Sequence, residues 1–80
     1  MKTEILLPQW GMGMSEGLVI AWNKKVGDQV TEGEIIAEIE TEKAAQELEA
    51  PGDGILTEIR VQVNERAPVR SVLGIIESPD

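Results

Sequence analysis

Residues 17–40 read GLVIAWNKKVGDQVTEGEIIAEIE, and residues 54–77, offset by 37, read GILTEIRVQVNERAPVRSVLGIIE. The two stretches align without a gap. Gly17/Gly54, Val26/Val63, Ile39/Ile76 and Glu40/Glu77 are identical. Leu18/Ile55, Val19/Leu56, Trp22/Ile59, Val30/Ala67, Ile35/Val72 and Ile36/Leu73 all stay apolar. Gly27/Asn64 pairs two residue types that tolerate the positive φ of a tight turn. Four identities in twenty-four positions are weak alone, but the apolar and turn positions recur in the same order. The repeat predicts two similar half-structures related by a pseudo-twofold axis.

Outward from the repeat, the local signals are those of strands. Ile5-Leu6-Leu7 stops at Pro8, as a strand end does. Gln9 to Gly17 contains three of the chain's eight glycines, two Met and a Trp, and reads as a long loop. Leu18 to Trp22 is a strand, Gly27-Asp28 a turn, Val30 the start of a short strand, and Glu32-Gly33-Glu34 a second turn. A strand over Ile35 to Thr41 leads to a corner at Glu42-Lys43. A strand over Ala45 to Ala50 follows, with Leu48 and Ala50 on one face and Glu47 and Glu49 on the other. Pro51-Gly52-Asp53-Gly54 is a turn. No segment holds helical periodicity for ten residues, so the expected class is all-β, a sandwich or barrel.

Eighty residues allow one domain with a thin core. Residues 1–77 are expected to form it, with 78–80 opening a linker or tail. Apolar residues make up 41% of the chain, enough for a globular fold. There is no Cys, so disulfides and thiolate metal sites are excluded. No apolar run approaches membrane-spanning length, and the opening Met-Lys-Thr-Glu has the pattern of neither a secretory nor a transit signal. The expected location is cytoplasmic. A net charge of −8 argues against nucleic acid and anionic membranes as partners.

The charge distribution singles out one residue. Between Val26 and Ile59 stand ten acids and a single cation, Lys43. Solvation of a surface accounts for the acids and leaves the lysine unexplained. His, Tyr and Cys are all absent, so common general bases and thiol nucleophiles are missing. Glu40 and Glu42 are an acid pair at i and i+2, a spacing that on an exposed strand face is ordinarily only solvated. Lys43 projects from a corner followed by small Ala44 and Ala45, which leave its amine accessible. A protruding amine can be acylated by an external enzyme that deprotonates it. The repeat places Lys43 opposite Asp80, hence at the end of the molecule away from the chain terminus. A surface lysine filling a turn is the plainer alternative.

Trp22 through Glu34, Ile39-Glu40-Thr41-Glu42-Lys43-Ala44 and Glu49-Ala50-Pro51-Gly52-Asp53-Gly54 together closely resemble the lipoyl domain of the acyltransferase (E2) components of 2-oxo-acid dehydrogenase complexes. The likeness runs from Pro8 to Glu77. Pro8-Gln9-Trp10-Gly11 with Met14-Ser15-Glu16-Gly17 is similar to the acetoin dehydrogenase branch. The resemblance implies a flattened barrel (a barrel-sandwich hybrid) of two four-stranded antiparallel sheets. It implies lipoate in amide linkage on Lys43, a swinging arm that carries acyl groups and electrons. It also implies partners: a lipoate ligase or lipoyl transferase, a thiamin-diphosphate-dependent decarboxylase (E1), the acyltransferase core (E2) and dihydrolipoyl dehydrogenase (E3). The isolated domain is expected to be monomeric and without a catalytic site of its own.

By the same resemblance, Gly27, Glu40, Thr41, Glu42 and Ala44 contribute to recognition by the modifying enzyme. Trp10, Gly11, Met12, Gly13, Met14, Ser15 and Glu16 map to the loop that meets the decarboxylase. Packing on its own loop is an equal alternative for Trp10, and Met14 and Trp22 read as core residues. Two features depart from the family pattern. Glu42 stands where Asp is usual, and Arg70 replaces the glycine found at Gly33 in the first half, which leaves the turns over 64–71 undefined. A biotin carrier shares the architecture but typically has Met on both sides of the lysine. An unmodified structural barrel is the third reading.

Overall fold

A computed structural model describes residues 1–79; the part of the expected linker that falls on Asp80 lies outside the described residues. The described residues form eight strands: β1 Lys2–Leu6, β2 Glu16–Trp22, β3 Gln29–Val30, β4 Ile35–Glu40, β5 Ala45–Glu49, β6 Gly54–Ile59, β7 Arg66–Pro68 and β8 Val72–Glu77. They make two four-stranded antiparallel sheets, β1-β8-β6-β3 and β5-β4-β2-β7. The repeat appears strand for strand, since β2, β3 and β4 correspond to β6, β7 and β8 at the 37-residue offset. The short strands are exchanged between halves. β3 of the first half pairs with β6 of the second, and β7 pairs with β2.

The exchange clasps the halves together through equivalent hydrogen bonds. Gly27 N–H donates to the Leu56 carbonyl at 2.8 Å, and Asn64 N–H donates to Val19 at 2.7 Å. In return, Leu56 N–H donates to Asp28 and Val19 N–H to Glu65, each at 2.9 Å. Bulges recur in register as well, between Val19 and Ala21 and between Leu56 and Glu58. Such bulges increase local twist, which lets short sheets curl over one core. Ile5, Leu7, Val19, Val30, Ile36, Ile39, Leu56, Leu73 and Ile76 are essentially solvent-free and fill the space between the sheets. No polar or charged residue among those described is buried.

Several boundaries differ from expectation, each for a backbone reason. Thr41 leaves β4 because its N–H turns back to the Ala44 carbonyl. Ala50 leaves β5 because its N–H goes to Glu34. Pairing of β1 with β8 begins at Lys2, in a polar stretch that carries no strand pattern of its own. Ser78 N–H donates to the Met1 carbonyl at 2.9 Å and carries that pairing one residue past Glu77. Trp22 lies at the core's edge, half-buried, with its indole N–H donating to Val61 O at 2.8 Å. Met14 is likewise half-buried against the core.

The turns over 64–71 repeat those of the first half. Gly27 (φ 102°) matches Asn64 (φ 74°), and Gly33 (φ 87°) matches Arg70 (φ 70°). Arg70 therefore holds a left-handed conformation that costs a side-chain-bearing residue roughly 1 kcal/mol or more. It is kept there because Arg70 N–H donates to Leu7 O at 2.8 Å, as Gly33 N–H donates to Ala50 O at 3.0 Å. Arg70→Gly is expected to stabilise the domain by about 1 kcal/mol, a rise of roughly 4–8 °C in Tm. Thermal unfolding followed by circular dichroism checks it; an unchanged or lower Tm would show the arginine to be unstrained.

Candidate functional site

The corner between β4 and β5 is held by one residue. Glu40 pairs with Ala45 at its base. Thr41 N–H donates to Ala44 O at 2.9 Å, and the Thr41 hydroxyl donates to the same carbonyl at 2.9 Å. Ala44 N–H donates back to the hydroxyl oxygen at 3.4 Å. These bonds close a four-residue loop and leave Glu42 and Lys43 at its tip, both exposed. Among the described residues, no hydrogen bond or ion pair engages the Lys43 ammonium. Its amine is therefore accessible to an acylating enzyme.

The corner and the chain ends are equivalent by symmetry. β1 pairs with β8 in one sheet as β5 pairs with β4 in the other, Lys2↔Glu77 matching Ala45↔Glu40. β1 runs from the termini toward the end where β2 begins and β4 finishes, marked by Leu18↔Glu40. Met1 and Ser78 at one end and the lysine at the other thus mark opposite ends of a molecule 37 Å long and about half as wide.

Beside the lysine lies an open groove of about 520 Å³. Residues 10–16 form one wall, and Glu40, Thr41, Glu42 and Lys43 form the other. The stretch singled out as a loop and the corner singled out for its lysine therefore share one concave surface. The loop is fixed by hydrogen bonds. Met14 N–H donates to Gly11 O at 3.2 Å, and Val69 N–H donates to Ser15 O at 3.0 Å. The Gln9 amide donates to Gly11 O and Met14 O, both at 3.3 Å. Trp10 packs against the core and lines the groove. Met12 is 97% exposed.

Gly27 does not join this group. It does not line the groove, and its N–H is spent on Leu56 in the other sheet. Arg66, Leu18 and Gln46 do line the groove and were not singled out in the sequence. Arg66 arrives through the exchange of β7 onto β2, and it pairs loosely with Glu16 at 3.4 Å. Only the tertiary exchange brings Arg66 there, so no local signal could have found it. Elsewhere, Lys24 and Glu34 pair at 2.8 Å across the β3 connection. That hydrogen bond holds the Glu34 carboxyl below its ordinary range and the Lys24 ammonium above its own. Among the described residues no cluster of three or more acids is arranged to hold a metal ion.

Comparison with known proteins converges on one type of domain. A family model described as "Biotin-requiring enzyme", covering biotin and lipoyl domains, matches residues 3–76. The dihydrolipoyllysine-residue acetyltransferase component of the acetoin cleaving system of Bacillus subtilis is 47% identical over 68 residues, 85% of this chain and 17% of that protein. The corresponding component of the pyruvate dehydrogenase complex of Rickettsia conorii is 44% identical over 77 residues, 95% of this chain and 19% of that protein. The chain thus spans under a fifth of the length of these curated relatives. Among solved structures, the lipoyl domain of the 2-oxoglutarate dehydrogenase complex of Azotobacter vinelandii superposes with a TM-score of 0.75 at 31% identity, over 95% of this chain and 98% of that one.

Proposed function

The chain belongs to the family of biotin and lipoyl domains, and from that membership we propose that it is a lipoyl carrier with lipoate amide-linked to Lys43. The observation that carries this reading is the corner itself, where an exposed amine without a partner among the described residues stands at the pole opposite Met1 and Ser78, next to a groove. Relatives named for dihydrolipoyllysine and a solved lipoyl domain support lipoate over biotin as the cargo. So do Glu42 and Ala44 at the flanks, where biotin carriers typically have Met.

Bound lipoate supplies a dithiolane that takes up an acyl group with two electrons and hands both on. What the chain supplies is position. Thr41 sets the direction in which Lys43 leaves the corner. The −8 net charge keeps the domain soluble and steers it toward basic docking surfaces. Tethering replaces diffusion of a free cofactor by a high local concentration at each site visited. The sites proposed are those of a thiamin-diphosphate-dependent decarboxylase, an acyltransferase core and dihydrolipoyl dehydrogenase, in an acetoin-cleaving or 2-oxo-acid dehydrogenase system. Glu40, Thr41, Glu42 and Ala44 present the lysine to a lipoate ligase or lipoyl transferase, and Gly27 contributes by fixing the turn that joins the sheets. Residues 10–16 face the decarboxylase.

The test is intact mass after incubation with a lipoate ligase and lipoate, or with a biotin ligase and biotin. One lipoyl group gained in the first case and none in the second is expected. A biotinyl group gained in preference would reassign the cargo, and no gain in either case would overturn the carrier reading.

A further inference from the structure

The turn between β5 and β6 reads Pro51-Gly52-Asp53-Gly54, and the carrier role leaves it unused. Two of its residues are fixed by the fold. Gly54 has φ 151°, and a Cβ there would run into the Glu77 carbonyl, so the position demands glycine. Asp53 Oδ1 accepts the Glu32 N–H at 2.7 Å, which ties this turn to the one between β3 and β4. The same two connections are also joined through the backbone, where Gly33 N–H donates to Ala50 O and Ala50 N–H to Glu34 O.

Placing these two residue types in succession has a chemical consequence. An aspartate followed by glycine can close a five-membered ring, because no side chain shields the glycine nitrogen. The Gly54 nitrogen attacks Asp53 Cγ, an N–Cγ bond forms, and the amide proton leaves with the carboxyl hydroxyl as water. Water then opens the succinimide at either carbonyl. Opening at Cγ restores aspartate, whereas opening at the main-chain carbonyl leaves the backbone running through Asp53 Cβ and Cγ. That product is isoaspartate, equal in mass to the starting chain, and its formation consumes no oxidant or cofactor. Asp53 is exposed, as are Pro51 and Ile55 on either side, so water has access. No other Asp or Asn in the sequence precedes a glycine; Asn23, Asp28 and Asn64 precede Lys, Gln and Glu.

We propose that Asp53 is a site of isoaspartate formation, held in check by the Glu32 N–H. A hydrogen bond to a carboxylate is among the stronger kinds. This one pins the carboxyl group to the neighbouring turn, and swinging Cγ onto the Gly54 nitrogen breaks it. Conversion would also insert a methylene just before Gly54, which lies against the Glu77 carbonyl. The chemical partner of such a site is an enzyme that methylates isoaspartyl carboxyl groups. None of this depends on the cargo of Lys43.

Glu32→Pro tests the guard. Residues 31–34 form a turn in which Glu34 N–H donates to Thr31 O at 2.9 Å and Gly33 holds φ 87°. Proline is favoured at the second position of such a turn, so the substitution removes the Glu32 N–H and keeps the turn. Both domains are held folded at neutral pH for weeks. They are then assayed with purified isoaspartyl methyltransferase and labelled S-adenosylmethionine, and peptide mapping places the label. Label at Asp53, accumulating roughly tenfold faster in Glu32→Pro, is expected, the factor that loss of one hydrogen bond to a charged group carries. No label at Asp53 in either domain, or equal rates in the two, would overturn the inference. Asp53→Asn gives a second reading that does not depend on the proline variant folding. It keeps the acceptor and closes the same ring with loss of ammonia, which intact mass follows. Its deamidation is expected to run about tenfold slower in the native domain than in urea. Equal rates folded and unfolded would likewise overturn the guard.

Discussion

Lys43→Arg is expected to abolish lipoylation completely while leaving the domain folded. Arginine keeps the charge and most of the reach of lysine. Its guanidinium, however, stays protonated at any accessible pH and offers no nucleophilic nitrogen to an activated acyl group. The side chain is exposed and bonded to nothing among the described residues, so the substitution removes no folding contact. The corner keeps its shape because Thr41 and Ala44, and not residue 43, close it. Intact mass and a melting curve are the two readouts. Zero lipoyl gain at an unchanged Tm is the expected pair. Residual lipoylation would place the modified amine at one of the other lysines, Lys2, Lys24 or Lys25. Of these Lys24 is tied to Glu34, and none stands on the β4–β5 corner.

The second large effect concerns the opposite pole. Gly54→Ala is expected to destabilise the domain by about 3 kcal/mol, from overpacking against backbone and an unfavourable φ. Gly54 opens β6 with φ 151°, and a Cβ there would run into the Glu77 carbonyl and lie 2.8 Å from Ile76 Cγ2. A backbone carbonyl of a paired central strand has nowhere to move. Its repeat partner Gly17 gives the internal contrast, since its Cβ would meet a side-chain atom, Ile39 Cγ2 at 2.6 Å, and not backbone, and Gly17 lies outside the positive-φ region that strains Gly54. Gly17→Ala should therefore cost less. Gly11→Ala, with open space around it, should cost almost nothing. Melting temperatures in the order Gly11→Ala, Gly17→Ala, Gly54→Ala, the last lowered by more than roughly 10 °C, would support this ranking. Equal values for the last two would refute it.

The repeat carried most of the fold because it recurs in residues that answer to one cause each. Apolar residues at matched places mark the inward faces, and Gly27/Asn64 mark equivalent positive-φ turns. Arg70 shows where that reading stops. Nothing in an arginine announces φ 70°, which is imposed by the hydrogen bond to Leu7 and the Ser71-to-Pro68 turn around it. The strand exchange was also illegible. β3 and β7 are two and three residues long, too short to show a period, and their partners are set by the opposite half. Lys43 stood out in the sequence because charge contrast and a corner are local properties. The groove did not, because it joins a loop, a corner and Arg66 from strands far apart in the chain. The six-residue excess of the 8–16 loop over its counterpart 51–53 is visible in the numbering, yet it can be read only once β1 and β5 are known to be equivalent, and those strands share only Glu4/Glu47.

The carrier role is tested most directly by transfer. The lipoylated domain is incubated with the thiamin-diphosphate-dependent decarboxylase of an acetoin-cleaving system, or of a pyruvate dehydrogenase complex, together with its substrate, and the intact mass is read. An acyl group added to the lipoylated chain, and absent from both the unmodified chain and Lys43→Arg, is the predicted result. A chain that carries lipoate on Lys43 and takes up no acyl group from either decarboxylase would contradict it.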